Sequence, residues 1–398
     1  MALLSRRLGI QHLDAVEDAV QWALTQALDS WQGNNIPGNP SAWLYQVAYR
    51  QLLSEFRSTK RRSELLNQYV SFGEGSDKND TDEIAGISFT GELTDSLLRM
   101  LFIACHEELP VESQLVFTLK SLCGFNVREI ALRLFISEAN VYKRFGRAKQ
   151  FLKKQSLQIE TLTENEINTR LPLVHRILYL LFTEGYLSSH IDNAIRQDLC
   201  EESIRLTKLL VDSRLGEVPE SAALLALMYF NLARIKSRQG DGGLVLLEQQ
   251  DRTLWDHRLI AMGLVCLERS AQGQTISRYH VEANIAAEHC LSASFEKTAW
   301  HKIAASYQLL ERIAPSPLHF LNRVIVTAEW QSTDSALALL LSSDAPTWLL
   351  RTYHWYAVLA DLQRRCGDFD NAKKNAEQAI QQAPTSKVKK MLARRLLS

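Results

Sequence analysis

The sequence predicts an all-α protein. Apolar side chains recur three and four residues apart through most of the 398 residues, which is the helical period. Sustained period-two alternation and Asn-Gly hairpin turns, the usual signs of strands, are missing from the sequence. The predicted architecture is two small helical domains followed by a helical-repeat extension.

Composition excludes several classes of protein. The six cysteines are scattered without a CxxC pair, which predicts reduced thiols and argues against a zinc site or a disulfide framework. The sequence has neither an apolar run of membrane-spanning length nor a secretion signal, so a cytoplasmic protein is expected. Because the formal net charge is zero, attraction to a polyanion must come from local charge asymmetry.

The first predicted domain, residues 1–63, is a compact helical block. One helix carries an apolar stripe made of Val16, Val20, Ala23, Ala27 and Leu28. A second helix begins near Pro40 and ends in a basic cluster. The next segment, residues 64–98, holds eight acidic residues and one lysine, and its tract 73–82 predicts a flexible acidic linker.

The second predicted domain, residues 99–155, contains a helix-turn-helix. Asn126 and Glu129 have the spacing of a capping box, and Ser137 can cap the next helix. That next helix has one buried stripe, made of Val141, Phe145, Ala148 and Leu152.

The same segment is strongly basic. Residues 120–154 carry nine Lys/Arg and two acids. An amphipathic helix with this charge fits the major groove of DNA, where phosphate contacts position it and its first turns read base edges. The alternative is a solvated basic helix face without a nucleic-acid partner. The best candidates for DNA contact are Asn140, Lys143, Arg144 and Arg147; Arg144 is equally suited to an intramolecular ion pair.

The C-terminal part, residues 160–398, is predicted to be helical throughout. Near its end the spacing of small and aromatic residues is that of a tetratricopeptide unit, and the matching positions are Tyr356, Leu359, Ala360, Gly367, Phe369, Ala372, Ala379 and Pro384. Gln363 and Ala376 depart from that pattern. The alternative is a generic helical bundle.

The order of these blocks resembles the extracytoplasmic-function group of bacterial RNA polymerase sigma factors, in the sigma-70 family. The family's polymerase-clamp helix is similar to EDAVQWALTQALDSW, its −10 helix to NPSAWLYQVAYRQLLSEFRSTKRR, and its −35 reader to SEANVYKRFGRAK. Two further runs, LPLVHRILYLLFTEGYLSSH and DGGLVLLEQQDRTLWD, resemble the subgroup with a tetratricopeptide-like C-terminal extension.

The resemblance implies a sigma factor that recruits core RNA polymerase to double- and single-stranded promoter DNA. It implies polymerase contacts at Asp18, Gln21 and Gln26, where an ordinary exposed face is the alternative. It implies −10 contacts at Trp43, Tyr45, Tyr49, Arg50, Arg57, Arg61 and Arg62, although Trp43 is also suited to the core. The extension is expected to modulate this activity and to contact the sigma domains.

Some positions depart from the family. Ser54 stands where Asp is usual, Glu55 replaces a frequent basic residue, and the family's first helix is fuller than residues 2–8. These departures keep an alternative open, namely a helical-repeat adaptor or scaffold whose degenerate sigma-like front binds polymerase or DNA without promoter melting.

In the extension, Glu248, Asp251, Arg252 and Trp255 form a dense polar and aromatic cluster. A structural cap with salt bridges is its first interpretation, and a site for a ligand or for the sigma regions is the alternative. His280 and His289 share no helix face, and no glycine-rich phosphate loop is present, so neither an enzyme, a metal nor a cofactor is expected.

Overall fold

The protein is all-α, as the sequence predicts. The computed structural model describes residues 1–8, 12–31, 36–68, 89–154, 164–188, 195–213, 218–240 and 243–397, without the side chains of residues 2, 6, 7, 58–68, 89–96, 164, 240 and 243. These residues contain eighteen α-helices and one short antiparallel ladder between β1 (Gln239–Gly240) and β2 (Gly243–Leu244). Strands of two residues are too short to produce a period-two pattern. The predicted linker tract 73–82 lies outside the described residues.

The chain divides into two compact units. The first consists of residues 1–125 and 141–174, and the second of residues 126–140 and 175–398. The helices up to the helix-turn-helix are α1 (Ala2–Leu8), α2 (Leu13–Ser30), α3 (Pro40–Gln68), α4 (Phe89–Ala104), α5 (Val111–Ser121), α6 (Val127–Leu134) and α7 (Glu138–Lys154). The first unit therefore holds α1 to α5, most of α7 and the start of α8 (Glu164–Tyr186).

The first unit has two apolar clusters. One lies between α2 and α3 and contains Val16, Ala23 and Leu52. Most of the predicted stripe of α2 is buried, but the assignment of Leu28 to it is wrong, since this side chain is 80% exposed. Leu28 follows Ala27 directly, and one residue turns a helix by about 100°, which rotates Leu28 off the buried stripe. The other cluster packs α4 and α5 against the stripe of α7.

The second unit continues with ten further helices: α9 (Gln197–Asp212), α10 (Pro219–Ala233), α11 (His257–Ser270), α12 (Arg278–Leu291), α13 (Trp300–Ile313), α14 (Pro317–Trp330), α15 (Thr333–Leu341), α16 (Tyr353–Arg365), α17 (Phe369–Gln382) and α18 (Ser386–Leu396). Helix α10 is the centre of its N-terminal half, because its residues 221–230 are all buried. From α13 onwards, consecutive helices pack on one another, which is compatible with a repeat-like arrangement.

The last helices show why small residues recur in this region. Ala360 of α16 and Ala376 and Ala379 of α17 are buried in one cluster with α18. Alanine side chains let helix backbones approach closely, and this explains why Ala376 is tolerated where a larger residue is usual. Gly367 has a φ of +84° in the turn between α16 and α17, a conformation that glycine adopts without steric cost.

Helices α8 and α9 approach each other closely at Gly185. A Cβ atom at this position would lie 2.7 Å from both the backbone N and the Sγ of Cys200 and 2.8 Å from the carbonyl O of Arg196. The Arg196 N–H donates to the Gly185 carbonyl at 2.8 Å. Only glycine fits here unless the two backbones separate.

The substitution Gly185→Ala is expected to destabilise the second unit by about 1–3 kcal/mol, since overpacking against backbone atoms cannot be relieved by a rotamer change. The matched control is Gly146→Ala in α7, where a Cβ would have nothing within 4 Å and should stabilise the helix by about 0.5–1 kcal/mol. Urea denaturation followed by tryptophan fluorescence measures both. Equal midpoints for the two variants would contradict the close approach.

Candidate nucleic-acid interface

Helix α6 begins with the predicted capping box. The Glu129 N–H donates to Asn126 Oδ1 at 2.9 Å, and the Asn126 N–H donates to Glu129 Oε2 at 2.8 Å. Two of the unpaired N–H groups at the helix start are thereby satisfied. Ser137 caps α7 in the same way, with its Oγ accepting from the Asn140 N–H at 3.3 Å. Both caps confirm the prediction from sequence.

The turn between α6 and α7 depends on an unusual backbone conformation. Phe135 has a φ of +55°, and among the described residues it is the one non-glycine residue with a positive φ. A bulky residue in the left-handed region costs about 1–3 kcal/mol and needs support from its surroundings. Its ring packs against Trp348, with the ring centroids 4.9 Å apart.

Helix α7 buries the predicted stripe. Val141, Ala148 and Leu152 are at most 1% exposed, and Phe145 stacks on Phe117 with centroids 5.9 Å apart. This orientation leaves the opposite face of the helix open to solvent.

The open face carries the candidate DNA contacts. Asn140, Lys143 and Arg147 are exposed, whereas Arg144 is half-buried. Within the described part of the chain, the three cations form no ion pair. Their charge is therefore available to an external anion.

The C-terminal end of α7 differs, because its lysines have internal partners. Lys149 forms ion pairs with Asp14 and, at 3.2 Å, with Glu17 of α2, while Lys153 pairs with Asp14. Helix α7 thus carries unpaired cations in its first half, among the described residues, and lysines bound to acidic side chains at positions 149 and 153. The number of basic residues in the sequence does not show which of them are paired, since Asp14 and Glu17 lie more than 130 positions away.

The first unit also positions the residues implied for polymerase and −10 contacts. On α2, Asp18 and Gln21 are exposed and Gln26 is half-buried. On α3, Tyr45 and Tyr49 stack almost parallel, with centroids 6.0 Å apart.

The remaining −10 candidates are also on α3. Trp43 is half-buried and edge-on to Trp31, with centroids 5.3 Å apart. Arg50 and Arg57 are exposed. The side chains of Arg61 and Arg62 lie outside the described residues.

A buried ion pair holds α6 against α8. Glu184 is fully buried, and Arg133 donates to its Oε2 through Nε at 3.1 Å and through a second nitrogen. The same guanidinium donates to the Leu187 carbonyl at 2.8 Å, and Ser188 Oγ donates to the other carboxylate oxygen at 2.9 Å. Both carboxylate oxygens and two of the three guanidinium nitrogens therefore have partners, and a buried carboxylate needs such compensation.

A second ion pair joins the capping box to the loop before α9. The Glu129 Oε1 atom, which the cap leaves free, accepts from Arg196 at 3.2 Å. Neither pair has a sequence signal, because the partners are 51 and 67 positions apart.

The extension cluster is an internal network. Trp255 is buried and its Nε1 donates to Ser237 Oγ at 2.8 Å. The Arg252 guanidinium lies 4.5 Å from the Trp255 ring centroid and donates to the carbonyls of His289 and Ser292.

The other two members of the cluster have local roles. Asp251 caps the short helix Arg252–Leu254, and Glu248 lies 3.8 Å from Arg395. These contacts have the character of a structural cap, and a ligand role for the cluster stays a prediction.

The described residues contain neither a candidate metal centre nor a helix able to span a membrane. They hold no cluster of three or more His, Cys, Asp or Glu side chains arranged to bind a metal ion. None of the helices placed by the structure combines the length and the apolar character of a membrane span. All six cysteines are free thiols.

Comparison with known proteins gives two family matches. Residues 99–152 match the model for sigma-70, region 4, and residues 170–271 match a family of unknown function (DUF6596). No solved structure matches the chain. The region 4 match covers α5, α6 and most of α7, so the helices described above form a sigma-70-like DNA-binding domain with a sigma-factor-like role.

One curated relative extends over most of the chain. An uncharacterized protein of Rhizobium meliloti (strain 1021) is 32% identical over 332 residues, covering 83% of this chain and 77% of the relative. The chain belongs to the same family as that protein.

The ion pair between Arg133 and Glu184 leads to a stability prediction. Arg133→Ala leaves a fully buried carboxylate without its cation and should cost about 3 kcal/mol or more. Arg128→Ala, on the same helix but exposed and unpaired among the described residues, should change stability by less than about 0.5 kcal/mol. Hydrogen-exchange mass spectrometry of the α6 peptide measures the local effect.

The double variant Arg133→Met/Glu184→Leu provides the control. Replacing both charges with apolar groups should restore most of the lost protection, because no unpaired charge remains. If Arg133→Ala left the exchange of α6 unchanged, the ion pair would not be what holds this helix.

Proposed function

We propose that this protein is a sigma factor of the extracytoplasmic-function group that directs core RNA polymerase to specific promoters. The observation that carries the proposal is the open cationic face of α7, presented by a capped helix-turn-helix that matches sigma-70 region 4. A sigma factor performs no covalent chemistry, so its work is done by binding surfaces.

Helix α7 is the proposed −35 reader. Lys143 and Arg147 are four residues apart and exposed, so they can reach phosphates on one side of the major groove. Asn140 stands in the first turn, where recognition helices contact base edges. Arg144 is half-buried and is proposed to support the contacts of α7 with the phosphates of the DNA backbone.

Helices α2 and α3 are the proposed polymerase and −10 surfaces. Asp18 and Gln21 are exposed on α2 beside Trp22 and Leu28, which are 41% and 80% exposed. A mixed polar and apolar surface of this kind favours a protein partner. The stacked pair Tyr45–Tyr49 offers a ring face to an unpaired base, and Arg50 and Arg57 can hold its phosphates.

The C-terminal helices are proposed to modulate activity through their contacts with α6. Arg133–Glu184 and Glu129–Arg196 tie the first helix of the helix-turn-helix to α8 and to the loop before α9. A change in the position of α8 or of the loop before α9 is therefore proposed to move α6.

The double variant Lys143→Ala/Arg147→Ala should weaken binding to −35 promoter DNA. The loss of two phosphate contacts should lower affinity by on the order of tenfold to a hundredfold and reduce the slope of log K against log salt by about 2. Lys373→Ala/Lys374→Ala on α17, also exposed and without ion pairs in the described structure, is the matched control. Fluorescence anisotropy at several salt concentrations measures both variants.

Run-off transcription with purified core polymerase on genomic fragments tests the whole proposal. The full chain should yield discrete transcripts that the α7 double variant loses and the α17 control retains. Intact polymerase binding without any specific transcript would instead support the adaptor alternative, for which exposed Glu55 on the −10 helix is the favouring observation.

A further inference from the structure

The second unit contains a large cleft beside the helix-turn-helix. Its volume is about 1420 Å³, and residues of α6, α8, α14 and α16 line it. Sites for small molecules measure about 300–1,000 Å³, so this cleft can hold a ligand of nucleotide size with its hydration water.

The lining is strongly cationic. It includes five arginines and one carboxylate, that of Glu138. Arg133 and Arg278 are neutralised from behind by Glu184 and Glu282. The other three arginines are exposed and form no ion pair among the described residues; they are Arg128, Arg176 and Arg351. An excess of free guanidinium groups around one cleft favours an anion, and planar guanidinium groups match phosphate in particular.

Aromatic rings form another part of the lining. Phe135 and Trp348 pack on each other, and Trp348 is 37% exposed. Tyr179 also lines the cleft and lies 4.8 Å below the guanidinium of Arg278. Such surfaces bind a flat ring by stacking.

We propose that this cleft binds a nucleoside phosphate, with its phosphates on the free arginines and its ring on the aromatic side. An acidic peptide of similar size is the rival occupant, but it gives no reason for aromatic faces beside the three unpaired arginines, a combination that matches a flat ring carrying phosphates. The binding proposal is independent of the sigma-factor assignment, because it rests on the second unit alone.

Fluorescence anisotropy of N-methylanthraniloyl-ADP with the full-length protein tests the proposal. Saturable binding is expected, with competition by unlabelled ADP and by inorganic pyrophosphate, and little competition by uncharged adenosine. Arg176→Ala/Arg351→Ala should weaken binding about tenfold or more, since it removes two guanidinium groups that can donate to phosphate.

Two control variants separate the cleft from other basic surfaces. Arg258→Ala/Arg312→Ala removes two exposed arginines that do not line the cleft and should leave binding unchanged. Lys143→Ala/Arg147→Ala tests adsorption to α7 and should also leave it unchanged. Trp348→Ala should weaken binding of the labelled nucleotide but leave binding of pyrophosphate unchanged.

Three results would overturn the proposal. The first is the absence of saturable binding by the wild-type chain, which would leave the cleft to a peptide. The second is equal affinity in the Arg176/Arg351 variant and the Arg258/Arg312 control. The third is binding that is lost in the α7 variant and retained in the cleft variant.

Discussion

The position of α6 depends on one carboxylate that solvent does not reach. Helix α6 has only eight residues, whereas an isolated helix needs about 12–15 residues to be even marginally stable in water. Its position must therefore come from tertiary contacts, and the fully buried Glu184 supplies the most demanding of them. A buried carboxylate requires a cation in close contact. The side chain of Arg133 must therefore lie beside Glu184, and this contact fixes the position of α6.

Internal ion pairs reduce the charge that the basic segment can offer to a partner. Of the nine cations between residues 120 and 154, Arg133, Lys149 and Lys153 are engaged by Glu184, Asp14 and Glu17. These cations contribute to the structure of the protein more than to its field. Of the other six cations, Lys143, Arg144 and Arg147 lie on the first three turns of α7, where recognition helices read DNA. A small number of cations at defined positions on one helix favours sequence-specific DNA recognition over unspecific binding of polyanions.

Local features were predictable from sequence, and long-range ones were not. The capping box of Asn126, the cap at Ser137 and the stripe of α7 follow from residue types at fixed spacings, and all three are confirmed. The left-handed Phe135 could not be foreseen, because nothing in its own sequence marks it; its support, Trp348, comes from more than 200 positions away. The candidate cleft could not be predicted from sequence either, since its arginines come from segments far apart in the chain.

A distinctive sequence run need not mark a ligand site. In DGGLVLLEQQDRTLWD, the guanidinium of Arg252 lies between the Trp255 ring and two backbone carbonyls, and the indole N–H is bound by Ser237. Burial lowers the pKa of Arg252, and nearby Arg234 lowers it further, so the network leaves no low-cost position for another cation. Substitutions within so dense a network are costly because each leaves a buried group unpaired. The specificity of this run is then a packing requirement, and the exposed arginines suited to an anion lie instead in the cleft that borders α6.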